Sequence, residues 1–126
     1  MMPWIAVAAG GAVGATLRHA VNQLALHVLG AGFPWGTLTI NILGSFVMGA
    51  LAGAFALFWD ASQTVRLFLA VGVVGGFTTF SAFSLDAVLL FQKGQTGEAV
   101  LYVLASVLLS LGALCAGMIL IRMIPV

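Results

Sequence analysis

The sequence predicts an all-α membrane protein with four transmembrane helices, the third of which is broken near mid-membrane. Hydrophobic residues make up 63% of the 126 residues and charged residues only 6%, with a mean hydropathy of +1.23. A soluble domain has about 25% charged residues. Polar connectors divide the chain into four apolar segments, and each is long enough to cross a bilayer, which takes about 20 residues.

Charge and cysteine content exclude several other classes of protein. Four basic and three acidic residues give a net charge of +1, whereas a nucleic-acid partner calls for a clustered basic face. The single cysteine, Cys115, cannot form an intrachain disulfide. The apolar N-terminus lacks the basic region of a signal peptide, and we interpret it as the first spanning helix.

Turn and cap residues set the limits of the four segments. Gly30 ends segment 1, Pro34 lies in the first turn of segment 2, and Asp60 and Ser62 are candidate N-caps for segment 3. Gly94 suits the end of segment 3. We expect helices over about residues 3–29, 34–59, 63–92 and 97–123, forming one transmembrane domain over residues 1–126.

Segment 3 contains the feature that suits a lipid-exposed helix least. Gly75 and Gly76 are adjacent and are followed by several hydroxyl side chains up to Ser84. Glycine costs about 1 kcal/mol against alanine in a helix interior. Lipid offers no water to replace a lost backbone bond, so a break is tolerated only where protein or a wet cavity surrounds it. This stretch therefore predicts the working part of the molecule.

Polar side chains recur at helical spacing in segments 2 and 4. The two stripes are Thr37, Asn41 and Ser45, and Tyr102, Ser106 and Ser110. Such residues either form interhelical hydrogen bonds, worth about 0.6 kcal/mol each, or line a pathway. Segment 3 adds Thr79 and Phe83 on one face, and matched stripes on three helices favour a pathway. The polar side chains donate hydrogen bonds without carrying a charge, which suits an anion that must leave again.

Four other residues in the apolar segments are compatible with two different roles or environments each. Phe80 and Phe83 are either core or a weak anion site, because an aromatic ring has a positive edge. Arg18 either extends to the interface or attracts an anion to a pore mouth. Asp86 is costly in a membrane unless it is paired or hydrated.

Basic residues do not specify an orientation in the membrane. Arg66 and Arg122 fall on one side of the predicted bundle, and Arg18 and Lys93 fall toward the other. The positive-inside rule then has no bias to act on. Either the chain inserts both ways and pairs as an antiparallel dimer, or four charges are too few to be informative. The sequence leaves these readings even.

Three motifs together resemble the Fluc (CrcB) family of fluoride channels. They occur in the family's order, and the resemblance covers essentially the whole chain. The third motif is the most specific. They are GGAVGATLR at residues 10–18, WGTLTINILGSF at residues 35–46 and GGFTTFSAFS at residues 75–84.

The resemblance implies a dual-topology homodimer of antiparallel subunits with two pores. It implies a sodium ion at the dimer centre, bound by the backbone carbonyls of Gly75 and Thr78, and a vestibule position for Arg18. Ala82 and Asp86 depart from the family, which commonly has threonine and glutamate there. The positions that match the anion pathway are Asn41, Phe80, Phe83, Tyr102 and Ser106, with Thr37 and Ser110 as further members of a polar track.

The resemblance also implies the function, a channel that passively exports fluoride across the bacterial inner membrane and is not an enzyme. Without it, the residues indicate only a pore or a transporter. One alternative is a small dual-topology multidrug or cation exporter, which needs an acid in mid-membrane. Asp86 lies toward one end of segment 3, and the other segments offer no mid-membrane acid. Another alternative, a structural subunit, would not need the polar stripes.

Overall fold

Helices account for nearly all of the chain, as the composition predicts. The structure is a computed structural model that describes residues 1–125; Val126, the last residue of the predicted domain, lies outside the described residues. No strand occurs between residues 1 and 125. The elements are α1 (Met2–Leu29), α2 (Trp35–Leu57), α3 (Gln63–Arg66), a π-helix (Leu67–Val74), α4 (Gly75–Phe77), α5 (Phe80–Gln92) and α6 (Thr96–Arg122).

The helix ends follow local capping chemistry. Gly30 ends α1 with a φ of 81°, a conformation that favours glycine, and its N–H donates to the Leu26 carbonyl at 3.0 Å. Of the two candidate caps for segment 3, Ser62 is the one used, because its hydroxyl accepts from the Val65 N–H at 3.2 Å. Gly94, also at a φ of 81°, follows α5.

Three helical stretches are long and apolar enough to cross a membrane, namely Trp35–Leu57, Gln63–Gln92 and Thr96–Arg122. The protein is therefore a multi-pass membrane protein. Helix α1 has 28 residues, which is sufficient length, but it is less apolar than the other three. Its second half carries the polar side chains Arg18, His19, Asn22, Gln23 and His27.

Glycines bring the helix backbones into direct contact. Helix α2 packs along α6 and also against α1, and α1 lies along the π-helix and α4. A methyl group added at Gly10 would fall 2.9 Å from the Cα of Gly72, and one added at Gly76 would fall 2.8 Å from the Gly11 carbonyl oxygen. Between α2 and α6, a methyl group added at Gly117 of α6 would lie 2.9 Å from the backbone nitrogen of Ala50 in α2. The small residues therefore serve close packing.

The break in segment 3 lies after the paired glycines rather than at them. Gly75 is helical, with φ and ψ of −61° and −38°. The chain is extended at Thr78, with a ψ of 158°, and at Thr79, with φ and ψ of −151° and 120°. The break therefore falls inside the stretch over residues 75–84 that the sequence singles out. Gly76 is used instead for its contact with the backbone of Gly11.

A π-helix precedes the break, and the sequence does not predict it. Leu67–Val74 is π-helical, and at its end the Gly75 N–H donates to the carbonyl of Ala70, five residues earlier. Short π-helical stretches are frequent at functional sites. Here the wider turn lies along α1, immediately before the chain becomes extended.

The glycine contacts give a matched pair of neighbouring substitutions. We expect Gly10→Ala to lower the melting temperature of the purified protein in detergent, because its methyl group meets the backbone of Gly72, which cannot rotate away. Overpacking of this kind costs about 1–3 kcal/mol. Gly11→Ala should be neutral or stabilising, because nothing lies within 4 Å of the added methyl group. Equal melting temperatures for the two variants would contradict this packing.

Candidate ion pathway

A groove of about 410 Å³, which we call the central groove, lies where α2, the break and α6 meet. Its lining combines amide, hydroxyl and aromatic side chains with apolar ones. It brings together five of the seven side chains that the sequence assigns to the pathway. They are Asn41, Phe80, Phe83, Ser106 and Ser110.

Asn41 is bonded to the break through both ends of its side-chain amide. Its Nδ2 donates to the Thr79 carbonyl at 2.9 Å, and its Oδ1 accepts from the Thr79 N–H at 2.9 Å. An extended residue directs its N–H and C=O to the same side, as in a hydrogen-bonded pair of antiparallel strands. The amide therefore satisfies two backbone groups that lipid would leave unpaired.

The threonines at the break continue this local bonding. The Thr79 hydroxyl accepts from the Ala82 N–H at 3.1 Å and so caps α5. The Thr78 hydroxyl donates to the Val74 carbonyl at 3.1 Å. The break is consequently a bonded turn with a fixed exit direction for α5.

A row of aromatic rings leads from the central groove to the loop that follows α1. The ring centroids of Phe80 and Phe83 are 5.5 Å apart, and those of Phe83 and Tyr102 are 5.3 Å apart. Phe33 meets Tyr102 edge-on at 5.5 Å, a contact that the sequence does not predict. Phe80 begins the row and is 78% exposed on the single chain, whereas Tyr102 is completely buried.

Tyr102 also has a polar partner, which explains Asp86. The Tyr102 hydroxyl donates to Oδ2 of Asp86 at 3.2 Å. A carboxylate in a membrane segment calls for such a partner or for water. The two residues belong to different helices, and no pattern in the sequence predicts their pairing.

Ser106 and Ser110 carry buried hydroxyls that meet no partner with hydrogen-bond geometry among the described residues, although the Ser106 hydroxyl lies near that of Tyr102. Both belong to the lining of the central groove. A buried polar group without a partner costs about 1–3 kcal/mol, so native structures rarely retain one without a reason. A ligand that accepts hydrogen bonds would satisfy both hydroxyls.

A second groove, of about 310 Å³, lies at one end of the bundle beside the loop that follows α1; we call it the end groove. Thr37, the sixth predicted pathway residue, is buried in its lining, which also includes the half-buried Ala82 and Asp86. Asn22 and Lys93 add an amide and a cation. The seventh, Tyr102, packs against Phe33 of the end groove and against Phe83 of the central groove.

Arg18 is not among the residues that line either groove. It is half-buried on α1, one helical turn before Asn22. Its vestibule role stays a prediction.

Of the two positions expected to bind a cation, Gly75 lies three residues before Thr78, and Thr78 is the first extended residue of the break. Gly75 is exposed on the single chain, and a methyl group there would meet only the Ala70 carbonyl, at 3.5 Å. Thr78 is half-buried against the central groove. In the described part of the chain, no cluster of three or more His, Cys, Asp or Glu side chains could bind a metal.

The central groove offers uncharged hydrogen-bond donors beside aromatic rings, whereas the end groove adds the charged side chains of Asp86 and Lys93. The uncharged set of the central groove can replace part of the water around a small anion without trapping it by a fixed charge. The chemistry is that of ion passage.

Comparison with known proteins gives one consistent answer. A family model described as "CrcB-like protein, Camphor Resistance (CrcB)" matches residues 5–118. A fluoride-specific ion channel FluC of Rhodopseudomonas palustris is 52% identical over 98% of this chain and 99% of its own length. Proteins of the same name from Rhodospirillum centenum and Sphingopyxis alaskensis are 53% and 55% identical, each over 94% of both chains.

The hydrogen bonding of the site predicts different stability effects for two substitutions on α6. Ser106→Ala should leave the melting temperature unchanged or raise it, because its hydroxyl has no partner to lose. Tyr102→Phe should lower it, since removing the bond to Asp86 costs about 1–2 kcal/mol. Thermal unfolding of both variants in detergent measures this. A larger loss for Ser106→Ala would show that its hydroxyl is bonded.

Proposed function

This chain belongs to the CrcB family, and from that premise we propose that it is a fluoride-specific ion channel that relieves the cytoplasm of fluoride. The observation in the geometry that supports this best is the pair of unpartnered hydroxyls, Ser106 and Ser110, in a groove edged by Phe80 and Phe83. Fluoride is small and tightly hydrated, so a path must offer donors in place of its water. The family is one of channels, and the protein is a transporter rather than an enzyme.

The proposed route runs between the two grooves. An anion enters the end groove beside Thr37, passes Tyr102 and Phe83, and reaches the central groove at Ser106. Each step exchanges one donor for the next, and ring edges contribute a weak positive potential. The absence of a basic side chain from the lining of the central groove lets the ion leave.

Transport in this proposal is passive and driven by the membrane potential. An inside-negative potential contributes about 2.3 kcal/mol per charge per 100 mV, which supports roughly a 50-fold outward gradient of a monovalent anion. A cation exporter finds less support, because Asp86 is bonded to Tyr102 and the relatives are named as fluoride channels.

We further propose that α1 is the fourth spanning helix and that the inner membrane is the location. Its less apolar half can cross because α1 packs along the π-helix through Gly10 and Gly14 rather than facing lipid all round. Arg18 extends toward the interface or the pore mouth.

The proposed functional unit is an antiparallel homodimer in dual topology. Two supports are the even division of the basic residues and the exposure of Gly75 and Phe80 on a single chain. A large aromatic side chain that is 78% exposed beside a polar groove is a surface that a second copy would cover. Each dimer would then contain two pores.

A structural sodium ion at the dimer centre completes the proposal. The carbonyls of Gly75 and Thr78 would bind it, two from each copy. Neither carbonyl accepts a backbone hydrogen bond in the described residues, so both suit a hard cation that prefers oxygen ligands. A buried cation would satisfy groups that lipid cannot.

Ion efflux from liposomes tests the function directly. Vesicles that contain the purified protein should release fluoride far faster than chloride, because the hydroxyl donors and ring edges of the central groove replace the tightly held water of a small anion. Electrodes for the two anions measure both rates in matched vesicles. Equal fluoride and chloride fluxes would contradict the proposed selectivity.

A matched pair of phenylalanine variants tests the pathway within that assay. Phe80→Ile keeps apolar volume but removes the ring edge, and we expect it to reduce fluoride efflux by about tenfold or more, the equivalent of 1.4 kcal/mol or more. Phe91→Ile is the control, since Phe91 is exposed on α5 outside both grooves. Unchanged flux in Phe80→Ile with normal assembly would assign this ring to packing alone.

A further inference from the structure

The break removes two backbone donors from the carbonyls that they would serve in an uninterrupted helix. In an α-helix, each carbonyl accepts from the N–H four residues later. The regular donor for the Gly75 carbonyl is therefore the N–H of Thr79. The regular donor for the Thr78 carbonyl is the N–H of Ala82.

Both donors are bonded to side chains instead. The Thr79 N–H donates to Oδ1 of Asn41 at 2.9 Å, and the Ala82 N–H donates to the Thr79 hydroxyl at 3.1 Å. The Thr78 N–H donates to the Val74 carbonyl at 3.0 Å, so it does not serve Gly75 either. Two side chains thus leave two particular carbonyls without a donor.

Asn41 is well suited to this task. Its amide offers an acceptor and a donor in one plane, which matches the parallel N–H and C=O of the extended Thr79. Leucine has the same size but offers neither group. The amide retains a second N–H that the Thr79 carbonyl does not use, so Asn41 can still donate to an anion in the central groove.

We propose that Asn41 and Thr79 are positioning residues for the central cation: by taking the N–H groups of Thr79 and Ala82, they free the carbonyls of Gly75 and Thr78 to bind it. This inference rests on the proposed cation site between two copies. Asn41 belongs to α2, so the site is prepared by a tertiary contact within each chain before the second copy arrives.

The decisive comparison is between Thr79→Ala and Thr79→Ser. Alanine removes the hydroxyl that accepts from the Ala82 N–H, so this N–H becomes available to the Thr78 carbonyl, whereas serine keeps the hydroxyl cap. The measurement is the melting temperature of the detergent-purified protein as Na⁺ replaces N-methylglucamine, an organic cation too large for the site. We expect Thr79→Ser to keep the wild-type Na⁺ dependence. Thr79→Ala should need about tenfold more Na⁺ for the same shift, the equivalent of 1.4 kcal/mol.

A second pair of variants, Asn41→Leu and Ser106→Ala, distinguishes loss of cation binding from general destabilisation of the protein. Asn41→Leu should lose the Na⁺-dependent shift, because the Thr79 N–H can then return to Gly75. Ser106→Ala, another polar residue of the central groove, should keep it. A purely structural role for Asn41 or Thr79 would lower the melting temperature equally in both cations and leave the Na⁺ concentration at half-shift unchanged.

The outcomes separate this inference from the function on which it rests. Equal Na⁺ dependence in Thr79→Ala and Thr79→Ser, with a clear shift in the wild type, would overturn the inference alone. No shift in the wild type would overturn both the cation site and its positioning residues. If the wild-type protein showed no fluoride selectivity in the efflux assay while the variants showed the expected Na⁺-dependent melting shifts, the channel proposal would be rejected and the positioning role supported.

Discussion

The pairing of the Asn41 amide with Thr79 is the contact on which the rest of the site depends. A membrane segment cannot leave backbone groups unpaired in lipid, so an interruption needs partners from the same molecule. Asn41 supplies two of them at 2.9 Å each, and the Thr79 hydroxyl supplies a third to α5. The direction of α5, and with it the placement of Phe80 and Phe83 at the central groove, follows from this bonded turn.

Close packing makes that pairing possible. Backbone contacts at Gly10, Gly72 and Gly76 hold α1 against the π-helix and α4. A methyl group of Thr78 also lies against Gly44 of α2, so a larger residue at Gly44 would push the break away from Asn41. Glycine therefore contributes here mainly by its lack of a side chain.

The sequence predicts the helical fold and most of the groove lining, because helical spacing places Ser106 and Ser110 on one face of α6. It predicts a break within residues 75–84 but not that the chain opens at Thr78 and Thr79, since local propensity carries no information about the contact of Gly76 with α1. The π-helix and the pairing of Tyr102 with Asp86 depend on tertiary contacts for which a single sequence has no pattern. Crossing by α1, the dimer and the cation remain predictions.

A high-resolution density map of the protein in a sodium-containing lipid environment tests the account most directly. The account predicts an extended backbone at Thr78 and Thr79, with the Asn41 amide within hydrogen-bond distance of both the N–H and the carbonyl of Thr79. It also predicts density for an ion beside the freed carbonyls of Gly75 and Thr78. A continuous α-helix through Thr79, with its N–H bonded to the Gly75 carbonyl and Asn41 turned away, would contradict it.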